Sequence, residues 1–214
     1  MITGSLCAQE ELFGEFELKK NFHQSEKWTH TGVLNYKHIY NSIGWRRFAI
    51  YAFTHRKLNE MWILTGGLSV YYRFDREIEN FIEVKPWIGI RMHVPITEDL
   101  VLLEHLRLEW RNFLLGEHQN YFRTRFLVHL KYTFNRKPEE NTFWNLQGGL
   151  EWYLLKDPIL RERYANSRKY TLRLSKHFTN GSAVIVGYDY EKFYNIEITN
   201  KVNGHTIFLG YQFN

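Results

Sequence analysis

Ionisable side chains recur at every second position through the middle of this chain. His105, Arg107, Glu109 and Arg111 stand in one run, and Arg123, Arg125 and Lys131 in the next. Glu83, Lys85 and Arg91 keep the same phase upstream, as do Glu151 and Arg173 downstream. Two residues is the strand period, so each run places its charges on one face of a sheet. Two chemistries fit such a face. In the first, Lys85, Arg91, Arg107, Arg111, Arg123, Arg125 and Lys131 line a narrow path for small anionic solutes or oligosaccharides, as Arg and Lys rings do in anion pores. In the second, Glu83, Glu109 and Glu151 pair with these cations and largely fill the interior, since charges shielded from bulk water are usually paired. Arg-x-Glu-x-Arg beside Arg-x-Arg alternates in sign. That favours pairing, and with it a structural role.

Catalysis ranks below both. Ser175 and His177 lie two apart on one strand face, and Asp189 or Glu191 on the following strand is placed to orient the imidazole. That is the nucleophile–base–orienter logic of a hydrolase, here one acting on lipid. The pair is a cheap pattern in strands rich in Ser and His, and in this register it faces away from lipid. His105 and Glu109, four apart on a strand, stand about 13 Å apart and cannot share a metal ion. No other spacing suits a metal, so no metal or cofactor is expected.

The elements that must hold these residues read as strands. Between Leu100 and Phe134 two strands of roughly fifteen residues flank the turn Gly116-Glu117-His118-Gln119. Leu102, Leu106, Leu108 and Trp110 share the face opposite the charges in the first; Phe122, Phe126, Val128, Leu130, Tyr132 and Phe134 do so in the second. A sheet with one oily face and one ionic face is what a transmembrane β-barrel needs. The same alternation recurs in Leu12–Phe22, Trp28–Tyr40, Trp62–Phe74, Ile82–Val94, Phe143–Leu154, Arg168–Phe178, Ala183–Tyr190 and His205–Phe213. Trp45–His55 reads as apolar on both faces, and Phe193–Asn200 alternates more weakly. Pro86 cannot donate to a ladder, which predicts a bulge or a local edge. Thr179-Asn180-Gly181 is a hairpin signal, and Asp157–Ser167 is the longest connection. Bacterial single-chain barrels have even strand numbers. The expectation is therefore an all-β, antiparallel up-and-down transmembrane barrel of twelve strands, or ten if Leu12–Phe22 and Phe193–Asn200 stay outside the wall.

Composition agrees. The 214 residues contain no linker or shift in composition, so residues 9–214 form one domain. Mean hydropathy is negative and no run reaches the ~18 apolar residues of a membrane helix, a requirement that barrels escape. Aromatics make up 17% of the chain and gather near strand ends, where membrane barrels carry interfacial girdles. A soluble lipocalin-type barrel would show the same alternation with inside and outside exchanged. The net charge of +5 is spread through strands, without zinc-finger spacing or a basic helix, so nucleic acid is not an expected partner. Cys7 is the single cysteine, which excludes an intrachain disulfide. Ser5-Leu6-Cys7-Ala8 looks like the tail of a secretory signal peptide, and residues 1–8 read as its remnant.

The run Glu104-His105-Leu106-Arg107-Leu108-Glu109-Trp110-Arg111, followed by Tyr121-Phe122-Arg123-Thr124-Arg125, resembles a family of uncharacterised bacterial outer-membrane β-barrel proteins. That family stands under a domain-of-unknown-function heading and is common in Bacteroidetes. Its motif is an E-H-R-L-R-L-E-x-R strand followed by an R-x-R strand; Leu106 stands where the motif has Arg. Glu151 with Arg161 or Arg163 is similar to a further acidic–arginine pair of the family. Tyr211-Gln212-Phe213, followed by Asn214, resembles the C-terminal strand signal read by the barrel-insertion machinery. The resemblance implies a Gram-negative outer membrane, with its lipid and the insertion machinery as partners. It implies no activity.

Overall fold

The computed structural model describes residues 9–41, 44–76, 80–114, 119–153, 166–194 and 202–213. Among them eleven strands close into one barrel. They are β1 (Gln9–Gln24), β2 (Trp28–Ile39), β3 (Arg46–Lys57), β4 (Trp62–Phe74), β5 (Phe81–Pro95) and β6 (Leu100–Leu114). The ring continues through β7 (Gln119–Lys137), β8 (Thr142–Tyr153), β9 (Asn166–His177), β10 (Ala183–Tyr194) and β11 (Val202–Phe213). Each pairs antiparallel with its sequence neighbours.

The described residues form eleven strands, neither the twelve nor the ten expected. Phe193 and Tyr194 finish β10 rather than open a strand of their own, and residues 195–201 lie outside the described residues. With eleven up-and-down strands the first and last must run the same way. β1 and β11 accordingly pair in parallel, from Gln9↔Val202 to Lys20↔Phe213. Residues 1–8, most of the Gly116–Gln119 turn, Arg161 and Arg163, most of the Asp157–Ser167 connection and Asn214 also lie outside the described residues.

Tight, hydrogen-bonded turns join the strands at one end. Leu58 N donates to Trp62 O at 2.9 Å, Ile96 N to Leu100 O at 2.8 Å and Phe178 N to Ser182 O at 2.9 Å. Gly181 in the last of these sits at φ +77°, the left-handed conformation that glycine adopts without penalty. Pro86 produces no bulge. Val84↔Asn112 and Trp87↔Glu109 keep one offset, and the ladder to β6 lacks only the pairs at Lys85 and Pro86, while Pro86 still sits opposite Leu68. A missing N–H interrupts hydrogen bonding on one side without adding a residue.

The two faces differ as the alternation demands. Large apolar side chains cover the outside: Leu34 is 53% exposed, Ile50 61%, Ile88 55% and Ile207 56%. Phe48 and Ile50 point out of β3 while Ala49 is buried inside, so that strand also has one face of each kind. Glu83, Glu109, Arg111 and Asp189 are wholly buried on the inside. A water-soluble barrel would have the reverse. Aromatic side chains pair across strands on the outer face near both ends: Trp110 with Phe122 at 5.8 Å at one, Phe134 with Trp144 at 6.4 Å at the other.

Candidate functional site

Ten of the eleven strands send a charged or phenolic side chain into a belt around the inside of the barrel. Period-two alternation places each one inward; the cross-strand register brings opposite signs together. In the first half of the belt, Glu83 of β5 accepts from Arg73 of β4 at 2.9 Å and Arg111 of β6 at 2.5 Å. Arg111 also hydrogen bonds the Tyr121 hydroxyl. Glu109 of β6 takes Arg107 at 2.8 Å, Arg123 at 2.6 Å and Arg125 at 2.9 Å, with Lys85 at 3.7 Å. Arg125 continues the chain to Glu151 of β8.

The second half crosses the parallel seam. Arg47 of β3 reaches Glu15 of β1 at 3.3 Å, and Lys37 of β2 lies 3.9 Å from the same carboxylate. Lys37 then spans β1 and β11 to Glu191 of β10 at 3.4 Å. Lys169 of β9 joins Glu191 at 3.2 Å and Asp189 at 2.6 Å, and Arg173 closes on Asp189 at 2.5 Å. Tyr71 of β4 links the two halves. Lys85 lies 4.4 Å, Arg47 5.6 Å and Arg73 5.9 Å from its ring centre, within the range of cation–π attraction.

The belt leaves space. A cavity of about 540 Å³ runs along the lumen from Phe13 and Trp45 to Leu103, His129 and Gln147. Its wall carries nine cationic side chains, Lys37, Arg47, Arg73, Lys85, Arg91, Arg107, Arg123, Arg125 and Lys169, against the carboxylates Glu15, Glu151 and Glu191. Glu83, Glu109 and Asp189 do not reach the wall, because the guanidinium and ammonium groups they hold lie over them. Pairing and openness therefore coexist: the carboxylates anchor the cations, and the cations face the space.

All the charged positions singled out from the sequence point inward, but they do not form one cluster. Glu83, Lys85, Arg107, Glu109, Arg111, Arg123, Arg125 and Glu151 share the first half of the belt, and Arg173 belongs to the second. His105 is held by Thr65 Oγ1 at 3.0 Å. Arg91 and Lys131 make no ion pair among the described residues. Glu15, Lys37, Arg47, Arg73 and Lys169 were missed, and Asp189 and Glu191 were assigned to the hydrolase pattern and not to the belt. All share the inward phase of their strands, which was the available signal, yet Lys37 and Glu191 are 154 positions apart and meet only across the seam.

The hydrolase constellation does not assemble. Ser175 Oγ lies 3.3 Å from His177 Nε2, but Asn145 Nδ2 approaches the same nitrogen at 3.0 Å. Asp189 is committed to Lys169 and Arg173 and stands opposite Thr171, far along β9 from His177. Among the described residues the imidazole has no orienting carboxylate, and it stacks on Phe143 at 4.3 Å. Among the described residues no group of acidic, His or Cys side chains has the arrangement of a metal site.

No family model and no curated protein matches the chain. Among solved structures it is similar to the NanC porin in a rhombohedral crystal form, with a TM-score of 0.51. The fold is a porin-like β-barrel. The likeness covers 90% of this chain and 94% of that one at 16% identity, which relates the two backbones and not their side chains.

Proposed function

We propose that this protein is a bacterial outer-membrane β-barrel of porin type whose lumen admits small anions in preference to cations. The reading rests on the wall of the cavity, where nine cations face three carboxylates because Glu83, Glu109 and Asp189 are tucked behind their partners. A passing anion meets donors already held in place, so little side-chain ordering is lost on contact. A cation meets like charge at almost every level. The largely apolar outer face supports outer-membrane lipid as the surrounding medium, since soluble proteins rarely expose so much apolar surface. The Glu104–Arg111 strand, with its likeness to the uncharacterised outer-membrane family, supports the same location, and Tyr211–Phe213 in β11 offers the strand signal for the insertion machinery.

Purified protein in a planar bilayer under a salt gradient tests this. The expected reversal potential is that of an anion-preferring pore. Replacing Arg107 and Arg125 together by Gln should move it towards the value for a non-selective pore. A sealed bilayer, or a preference for cations, would overturn the proposal and leave the barrel with a purely structural role.

A further inference from the structure

Of the nine cations on the cavity wall, eight have a carboxylate within ion-pair distance; Arg91 has none among the described residues. It lies half-buried inside β5 and stands opposite His105, with Arg107, the partner of Gly89, as its diagonal neighbour. The nearest fixed charge on the next strand therefore has the same sign. A guanidinium held in a partly desolvated wall without a counter-charge is costly. The lumen is the side from which an anion can supply one.

The wall around Arg91 is built differently from the belt. Passing from the belt towards the tight-turn end, Gly89, Gly149 and Gly187 face inward, the last two directly beyond Glu151 and Asp189. A Cβ on Gly149 would stand 1.9 Å from His129 Cδ2, one on Gly89 2.7 Å from His105 Nε2, and one on Gly187 2.4 Å from Arg173 Cδ. The glycines let these three side chains lie flat against the wall, which keeps the centre open. The flattened groups are also engaged: His105 with Thr65, His129 with Gln147 at 2.8 Å, Arg173 with Asp189. Three donor groups at this level have no hydrogen-bond partner among the described residues: Arg91, the His55 imidazole opposite Thr65, and Trp87 Nε1, which is buried in the wall with its ring 4.2 Å from the Arg107 guanidinium. Phe53, Leu103 and Leu127 add apolar side chains to the cavity wall.

We infer that this chamber binds a small organic carboxylate with an uncharged, ring-sized body, and that Arg91 is the residue that holds the carboxylate. The apolar side chains Phe53, Leu103 and Leu127 take the body. Inorganic anions satisfy Arg91 but leave the apolar wall unused. The inference rests on the anion-admitting lumen proposed above and names the site within it.

Calorimetric titration of the detergent-solubilised full chain with benzoate, acetate and inorganic phosphate tests it. Benzoate should bind, and bind more tightly than the other two. Arg91→Gln should weaken benzoate by about tenfold or more, the effect of losing one charge-assisted pair. Gly149→Ala, which drives His129 off the wall into the chamber, should weaken it as well. Lys131→Gln, an inward cation outside the cavity wall, should leave it unchanged. Equal binding of all three anions, or benzoate binding that survives Arg91→Gln, would overturn the inference. Arg91→Lys keeps the charge without the planar fork and should fall between wild type and Gln; should Gln fail to fold, this variant decides, and wild-type affinity in it counts against the site. The anion preference of the conducting pore belongs to the belt and should persist in Arg91→Gln, so the two proposals fail separately.

Discussion

Glu109 shows how a single buried carboxylate organises this lumen. Its Oε1 accepts from Arg107 and Arg125 and its Oε2 from Arg123, with Lys85 alongside. A carboxylate offers about four lone-pair positions, and here all of them face cations. The site is therefore asymmetric to mutation. Glu109→Gln leaves several cations in a desolvated wall without a counter-charge, and stability should fall by about 3–5 kcal/mol. Arg107→Gln removes one partner and leaves Glu109 three others, so its cost should be nearer ~1 kcal/mol, that of one lost hydrogen bond. Urea unfolding from lipid vesicles measures both. Equal losses would mean that the charges act as independent pairs and not around a hub. Glu83 has the same design on a smaller scale, held by Arg73 and Arg111.

At the scale of the strand, β6 and β7 carry the contrast between faces most clearly, and it gives a depth-dependent test. Leu108 lies midway along β6 on the outer face, whereas Tyr132 of β7 sits close to the tight-turn end, opposite Leu100. A Lys at Leu108 should cost about 2–4 kcal/mol in a bilayer, and a Lys at Tyr132 only about 0–1 kcal/mol beyond the loss of its ring. Unfolding from vesicles should show the difference; similar costs at both sites would place Leu108 in water and reverse inside and outside. The faces of these strands were legible in the sequence because period two is a local property: Leu106, Leu108 and Trp110 on one side and Arg107, Glu109 and Arg111 on the other need no knowledge of the neighbours. The number of strands is not local. Whether Phe193 and Tyr194 open a strand of their own or finish β10 depends on the distant residues they pair with, Val202 and Asn166, and the alternation gave no sign of which. The seam was hidden for the same reason, since Lys37 and Glu191 acquire a relationship only once β1 and β11 lie between them. Pro86 signalled an interruption of the ladder but not which kind, because a missing N–H and an inserted residue look alike in sequence and differ in register. The glycine positions were visible as letters, but their role in flattening His105, His129 and Arg173 needs the cross-strand partners.

Over the whole molecule, selectivity is a property of the summed charge. The belt joins ten cations, Lys37, Arg47, Arg73, Lys85, Arg107, Arg111, Arg123, Arg125, Lys169 and Arg173, to six carboxylates, Glu15, Glu83, Glu109, Glu151, Asp189 and Glu191. The excess is spread around the ring, so the field at the centre comes from several groups at once and focuses in the low-dielectric wall. Such a field acts over distance and is screened by mobile ions. The Debye length is about 10 Å at 0.1 M salt and about 3 Å at 1 M. The first length spans a substantial part of a lumen lined by arginines; the second does not reach beyond one guanidinium. Anion preference in planar bilayers should therefore be strong at about 0.1 M and much reduced at about 1 M, while the conductance itself persists. A pore that selected by contact alone, with each anion handed from one desolvated donor to the next, would keep its preference at high salt. Preference that is flat across this range would assign selectivity to discrete sites such as Arg91, and would remove the summed field of the belt as its cause.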